Sequence, residues 1–209
     1  MELILVRHAQ PVADVRSDGS PADPPLSDVG RRQAELAAQW LCETEPHHVC
    51  SSPMRRAVQT AEPIAAAAGI AADAVEVCDD ISEFDRHDPA YVPMEVMKLT
   101  DRARWDQLAA GTFTTDVAEA AAWMEVVVAA FERIVADHGG ERVVAVCHSG
   151  VVNAYLAHCL GFEADRFLRF DVDYTSVSRV FASGRGHRSV ASVNERTHLR
   201  GRPDLAVGL

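Results

Sequence analysis

The stretch LILVRH, from Leu3 to His8, decides the fold. Its apolar residues run together without alternation and stop after a few positions. That pattern fits a strand buried on both faces, as in the interior of a parallel sheet. A strand of this kind has little reason to end in an arginine and a histidine unless its end opens onto something polar. The arrangement recurs in ERVVAVCHSGVVNAYLAHCLG, where Val143 to Cys147 form an apolar run that ends in His148 and passes at once into a helix. Between these two lie a plausible strand at His47 to Ser51 (HHVCS) and another at Ala74 to Cys78 (AVEVC), each set off by helical sequence. Strands alternating with helices predict an α/β protein: a three-layer α/β/α sandwich on a mostly parallel central sheet. Ligands of such sheets bind at the carboxyl ends of the strands.

Working outward, RHAQPVADVRSDGSPADPPLSDVG is rich in Pro, Gly, Asp and Ser and reads as a long loop. Ser27 or Asp28 can cap the following helix, whose Ala34, Ala37, Ala38 and Leu41 share one face. SPMRRAVQTAEPIAAAAG reads as a helix that Pro63 should kink or split. DVAEAAAWMEVVVAAFERIVADHGG is a helix with a wide apolar face and a glycine stop. The tail alternates like antiparallel or edge strands around Phe167 to Val172, Thr175 to Ala182 and Ser189 to Asn194. The mixed segment at about 88–115 reads as a helical insertion. Its Met94, Met97 and Trp105 are able to line a cleft, although such apolar spacing usually marks core. The whole chain, 1–209, reads as one domain.

With 209 residues, 48% hydrophobic, the chain is long enough for one sizeable core. Its net charge of −11 opposes nonspecific binding to nucleic acid or to an anionic membrane. Neither a signal peptide nor an apolar run long enough to span a bilayer is visible, so a soluble, cytoplasmic protein is expected. Cys42, Cys50, Cys78, Cys147 and Cys159 are odd in number and lack CxxC spacing, which suggests neither a disulfide framework nor a zinc site. His47, His48, His87, His138, His158 and His187 have no partner pattern.

Four groups fall where the sheet should open. Arg7 and His8 end the first strand, His148 ends the later one, and Arg56 lies just after the second. Ser149 begins a helix whose unpaired backbone N–H groups favour an anion. Two arginines, two histidines and a helix N-terminus describe a pocket for a tetrahedral dianion, and phosphate matches the guanidinium fork.

The ordered blocks LVRHAQ, DPPLSDVGRRQA, SSPMRRAVQTAEPIA, VCHSGVV and VNERTHL, spanning roughly residues 3 to 199, resemble motifs of the histidine phosphatase (phosphoglycerate mutase-like) superfamily. The resemblance implies that fold. It makes His8 the nucleophile that becomes phosphohistidine, with Arg7, Arg56 and His148 completing the phosphate pocket. Arg56, the arginine immediately before Ala57, matches the family position; Arg55 is its exposed neighbour. Glu83, in ISEFD, fits the family's proton donor, although Asp79, Asp80, Asp85 and Asp88 surround it and another carboxylate is an alternative acid. His198 fits a role in fixing the tail.

No metal or cofactor is expected at such a site, because cationic side chains supply the charge. The partner implied is a small-molecule phosphate ester, with neither nucleic acid nor membrane, and a homodimer is a possible assembly. After His8 the chain has AQPVAD where mutases continue G-E-S-x-W-N, and FDRHDP follows Glu83 where they carry a Gly- and Trp-containing stretch. Phosphomonoester hydrolysis is therefore the expected activity. The alternatives are a noncatalytic phospholigand-binding protein and a mutase-type phosphotransferase. In the insertion, Met and Trp would suit an apolar leaving group, and Arg86, Arg102 and Arg104 an acidic one.

Overall fold

The structure, a computed structural model, describes residues 1–109, 116–162 and 167–206. Its strands are β1 (Glu2–Arg7), β2 (Asp14–Val15), β3 (His48–Ser51), β4 (Glu76–Val77), β5 (Ala90–Tyr91), β6 (Arg142–Cys147), β7 (Val177–Ala182) and β8 (Arg188–Glu195). The helices are α1 (Asp28–Leu41), α2 (Arg55–Ala67), α3 (Met94–Thr100), α4 (Arg102–Ala109), α5 (Val117–Asp137) and α6 (Ser149–Leu160). The main sheet runs β4-β3-β6-β1-β7-β8, and β2 pairs with β5 in a separate ribbon. Strands β4, β3, β6 and β1 are parallel, whereas β7 and β8 are antiparallel additions. The mostly parallel α/β architecture expected from the opening stretch is the one observed.

Alternation of side chains explains why LILV is apolar throughout. Leu3 and Leu5 join Val143, Ala145 and Cys147 in a core with Val127, Phe131, Val151 and Leu156 of α5 and α6. Ile4 and Val6 join Val144 and Val146 in the core under α1 and α2, against Leu41, Ala57, Ala61 and Ile64. Successive residues of a strand point to opposite faces, so a strand covered on both sides must be apolar at every position. Full burial of each Leu, Ile or Val contributes about 1.5–3 kcal/mol.

Capping sets where the helices begin and end. The Ser27 side chain caps α1, accepting from Gly30 N at 3.0 Å, and the Asp116 carboxylate caps α5 by accepting from Ala118 N and Glu119 N. Gly161, at φ 71°, closes α6 in the left-handed conformation that glycine adopts freely.

Several local readings need correction. AVEVC supplies only the two exposed residues of the edge strand β4, while Val75 and Cys78 on either side of it pack against the two cores. Residues 167–172 form no strand; Asn153 holds this segment against α6 by accepting from Arg169 N and Phe170 N and donating to the Phe170 carbonyl. Helix α2 runs unbroken through Pro63, whose neighbours Ala61, Ile64 and Ala65 are buried against the sheet, so tertiary packing outweighs the lost hydrogen bond. The insertion contains α3 and α4, and its residues 110–115 lie outside the described ones. Among the described residues no helix is long and apolar enough to cross a membrane. The five cysteines are unpaired thiols.

Candidate active site

Three parallel strand ends meet at one point. His8 N donates to the Cys147 carbonyl at 2.8 Å and Ser52 N to the Val146 carbonyl at 3.0 Å, which continues the ladder one residue past β1 and β3. Arg7, His8, Ser52 and His148 therefore emerge side by side. The His8 and His148 rings lie 5.1 Å apart, tilted by 58°. Arg56 comes in from the first turn of α2 and is 0% exposed, while Arg55 beside it is exposed.

Motif residues without chemistry of their own build the loop behind His8. Thr60 Oγ1 accepts from Ala9 N at 3.0 Å, and Gln33 Oε1 accepts from Gln10 N at 2.9 Å. Gly30 lets α1 press on this loop, since a Cβ there would stand 2.0 Å from the Gln10 carbonyl oxygen. His198 stacks on Trp40 and contacts Thr175 Oγ1 at 3.0 Å, and Thr175 N donates to the Arg7 carbonyl. The tail thus supports the site at one remove.

His8 Nδ1 is 2.8 Å from the Ala9 carbonyl oxygen. A carbonyl only accepts, so Nδ1 carries the proton and Nε2 keeps its lone pair. Burial, and then the guanidinium groups of Arg56 and Arg7, hold the His8 pKa well below the usual histidine value. His148 is lowered in the same way, by burial first and then by Arg56, His8 and Arg7. Both imidazoles are neutral at pH 7.

The two guanidinium groups sit over aromatic rings, with Arg7 Cζ 4.0 Å from the Tyr174 centroid and Arg56 Cζ 4.5 Å from that of Tyr91. Arg7 Nη1 donates to the Val172 carbonyl and Arg56 Nη2 to Asp85 Oδ1. Arg7 Nε, Arg56 Nε, Arg56 Nη1 and His148 Nδ1 are buried and have no hydrogen-bond partner among the described residues. Buried polar groups are nearly always satisfied, so this cluster of unpaired nitrogens marks an anion site.

Glu83 reaches the same cleft from the turn after β4. Its carboxyl accepts from Gly150 N at 2.9 Å and Phe84 N at 3.2 Å. Burial, reinforced by Asp85, raises its pKa to about 7, against the opposing pull of the two backbone bonds and Arg56. The cleft, about 780 Å³, is lined by Arg7, His8, Arg56, Glu83 and Ser149, with the His148 ring 5.1 Å from that of His8. Met94, Met97 and Trp105 form its outer wall with Arg104, whereas Arg86 and Arg102 turn to Asp79 and Asp106. Asp85, Tyr91 and Tyr174 were not singled out for these contacts in the sequence, because no motif spacing marks a counter-ion or a ring beneath an arginine.

The histidine phosphatase superfamily (branch 1) model matches residues 3–196. "Phosphoglycerate mutase-like protein 4" of Arabidopsis thaliana is 31% identical over 163 residues, 73% of this chain and 68% of its own length. "Phosphoserine phosphatase 1" of Hydrogenobacter thermophilus is 29% identical over 95% of this chain and 94% of its own. Among solved structures, the phosphoserine phosphatase of Entamoeba histolytica, crystallised with 3-phosphoglyceric acid, superposes with a TM-score of 0.70 at 20% identity, covering 95% of this chain and 98% of that one.

Proposed function

The chain belongs to the histidine phosphatase superfamily (branch 1), and from that premise we propose that it hydrolyses phosphomonoesters in two steps at His8. The observation that carries this reading is the set of buried, unpaired nitrogens on Arg7, Arg56 and His148 beside an imidazole whose Nε2 is free to attack. The ester's phosphoryl oxygens take the guanidinium N–H donors. His148 adds Nδ1–H in the tautomer whose Nε2 accepts a hydrogen bond from the Ser52 hydroxyl 2.8 Å away.

His8 Nε2 attacks phosphorus, and the bond from phosphorus to the leaving oxygen breaks. Glu83 gives its proton to that oxygen, which departs as the alcohol. The resulting carboxylate takes a proton from water, the hydroxide oxygen attacks the phosphohistidine, and phosphate leaves with His8 restored. Fixed cationic donors stabilise the charge on the equatorial oxygens throughout. A carboxyl with a pKa near 7 is suited to serve as acid and then base at neutral pH. Related proteins carry names of phosphoserine and glucosyl-3-phosphoglycerate phosphatases, which supports a small, polar phosphate ester as substrate class.

The purified protein is expected to release inorganic phosphate from p-nitrophenyl phosphate and from members of a panel of small phosphate esters. His8→Ala should abolish release from all of them. Tight ester binding without turnover anywhere between about pH 5 and 8 would overturn hydrolysis in favour of a binding protein.

A further inference from the structure

Three more chemistry-bearing side chains meet at the opposite end of the sheet. His48 opens β3, Glu76 opens its edge neighbour β4, and His138 is the residue that ends α5. One ligand atom from each lies within 4.8 Å of the other two. His48 Nε2 is 3.0 Å from Glu76 Oε2, and the His48 and His138 rings stack at 4.3 Å with 21° between their planes. None of the three lines the catalytic cleft. From His48 the strand runs to Ser52 at the catalytic end, roughly 13 Å away at the usual rise per residue.

A fourth residue orients the group. His138 Nδ1 is 2.8 Å from Glu141 Oε2. The carboxylate accepts, so the proton sits on Nδ1 and Nε2 presents its lone pair. A carboxylate on the far nitrogen is what fixes the tautomer and raises the basicity of metal-bound histidines. Mutual hydrogen bonding alone accounts for the His48–Glu76 contact. It leaves unexplained why a second imidazole, pre-set in the ligand tautomer, stacks against the first.

We propose that His48, Glu76 and His138 bind a divalent transition ion of borderline softness, Zn²⁺ foremost, with a further coordination position open to solvent. Two imidazole nitrogens and one carboxylate oxygen favour Zn²⁺, Co²⁺, Ni²⁺ or Cu²⁺ over Mg²⁺ and Ca²⁺, which prefer all-oxygen sites. Ligands around a tetrahedral zinc sit about 3.4 Å apart, so small side-chain rotations close the observed group around an ion. The ion ties the two-residue edge strand β4 to β3 and to the end of α5, stapling the weakest margin of the sheet. It takes no part in phosphoryl transfer. No local sequence spacing marks the group, because the three ligands come from three separate elements.

The test uses the untagged, full-length chain after chelator treatment. Titration calorimetry with Zn²⁺ at about pH 7.5 is expected to show one saturable site. At a hundredfold excess over Kd, Tm should rise by roughly 5–10 °C. Both signals should vanish in the His48→Ala and His138→Ala variants. Glu141→Gln should weaken binding by about 10- to 100-fold. His8→Ala should bind as the wild type does, which separates this site from capture by the histidines of the cleft. Absence of a saturable site in the wild type, or uptake undiminished in the His48→Ala/His138→Ala double variant, would overturn the proposal. Should those variants fold poorly, histidine nitrogen chemical shifts of the wild type decide. Zn²⁺ must move the signals of His48 and His138, and shifts confined to His8 and His148 would refute the site.

Discussion

Asp85 Oδ1 lies 3.1 Å from Arg56 Nη2, so a carboxylate holds one corner of the buried guanidinium while its Nε and Nη1 stay unpaired. A buried cation needs a counter-ion, and here that ion sits where it competes with a phosphoryl group for the same arginine. Asp85→Asn should therefore tighten ester and phosphate binding, lowering KM and the inhibition constant of phosphate by about 3- to 10-fold, for a gain near 1 kcal/mol. Steady-state kinetics with phosphate as inhibitor reads both. Unchanged constants would remove Asp85 from the pocket's electrostatics.

The pH dependence follows from Glu83. Its carboxyl, raised to about 7, is protonated below that pH and ionised above it. In the proposed mechanism the acid form serves the leaving oxygen, so kcat should fall on the alkaline side as pH rises through about 7. Lowered pKa values keep His8 and His148 neutral down to well below pH 6.5, so no loss of nucleophile accompanies mild acidification. Glu83→Gln should remove the alkaline bend and cut kcat by about 10²–10⁴ for esters with poor leaving groups. Because Asp85 is one of the groups that raise Glu83, the bend should move to lower pH in Asp85→Asn. A pH profile of each protein checks the set.

Gly150 leaves the room that the Glu83 carboxyl, the proposed acid, occupies. A Cβ there would stand 2.4 Å from Glu83 Oε1, so Gly150→Ala must push the carboxyl aside. Misplacement by about 1 Å costs up to roughly 10²-fold in rate, whereas the arginine donors remain in place. The expected result is a fall in kcat with phosphate affinity kept. Parallel loss of both would point to damage in α6 instead.

Arg56 should trade stability for function. The side chain is wholly buried with two nitrogens unsatisfied, a costly state that a methionine of similar length does not impose. Arg56→Met made together with Asp85→Asn, so that no carboxylate is left without its partner, is expected to leave Tm unchanged or raised while kcat/KM drops by about 10²–10³. Thermal unfolding and kinetics on one preparation measure the two effects.

Much of this was legible in the chain because local rules and global packing agree. LILV and VVAVC had to be interior parallel strands, and their polar ends had to face the crevice. Of Ser27 and Asp28, the two caps that side-chain chemistry allows for α1, Ser27 is the one that accepts from Gly30 N. What escaped sequence reasoning depended on long-range contacts. AVEVC has strand propensity, yet only one neighbour to pair with. Phe167 to Val172 alternates like a strand, yet Asn153 claims its backbone groups. Pro63 should break a helix, yet the buried alanines around it keep α2 whole. In the site, His8, Arg7, Arg56, His148 and Glu83 were named from motif position. In the sequence Asp85 stands only as a rival acid, because its contact with Arg56 joins residues that no local pattern relates. The Tyr91 and Tyr174 rings under the arginines carry no sequence signal at all.

The central claim is that His8 itself becomes phosphorylated. Phosphohistidine survives alkali and is lost in acid, so the enzyme mixed briefly with a radiolabelled phosphomonoester and quenched in alkali preserves the intermediate. Label is expected on the peptide that contains His8, formed before phosphate appears and chased into phosphate when unlabelled ester is added, with none in His8→Ala. Turnover of the ester with no label on His8, or with label on any other residue, would contradict it.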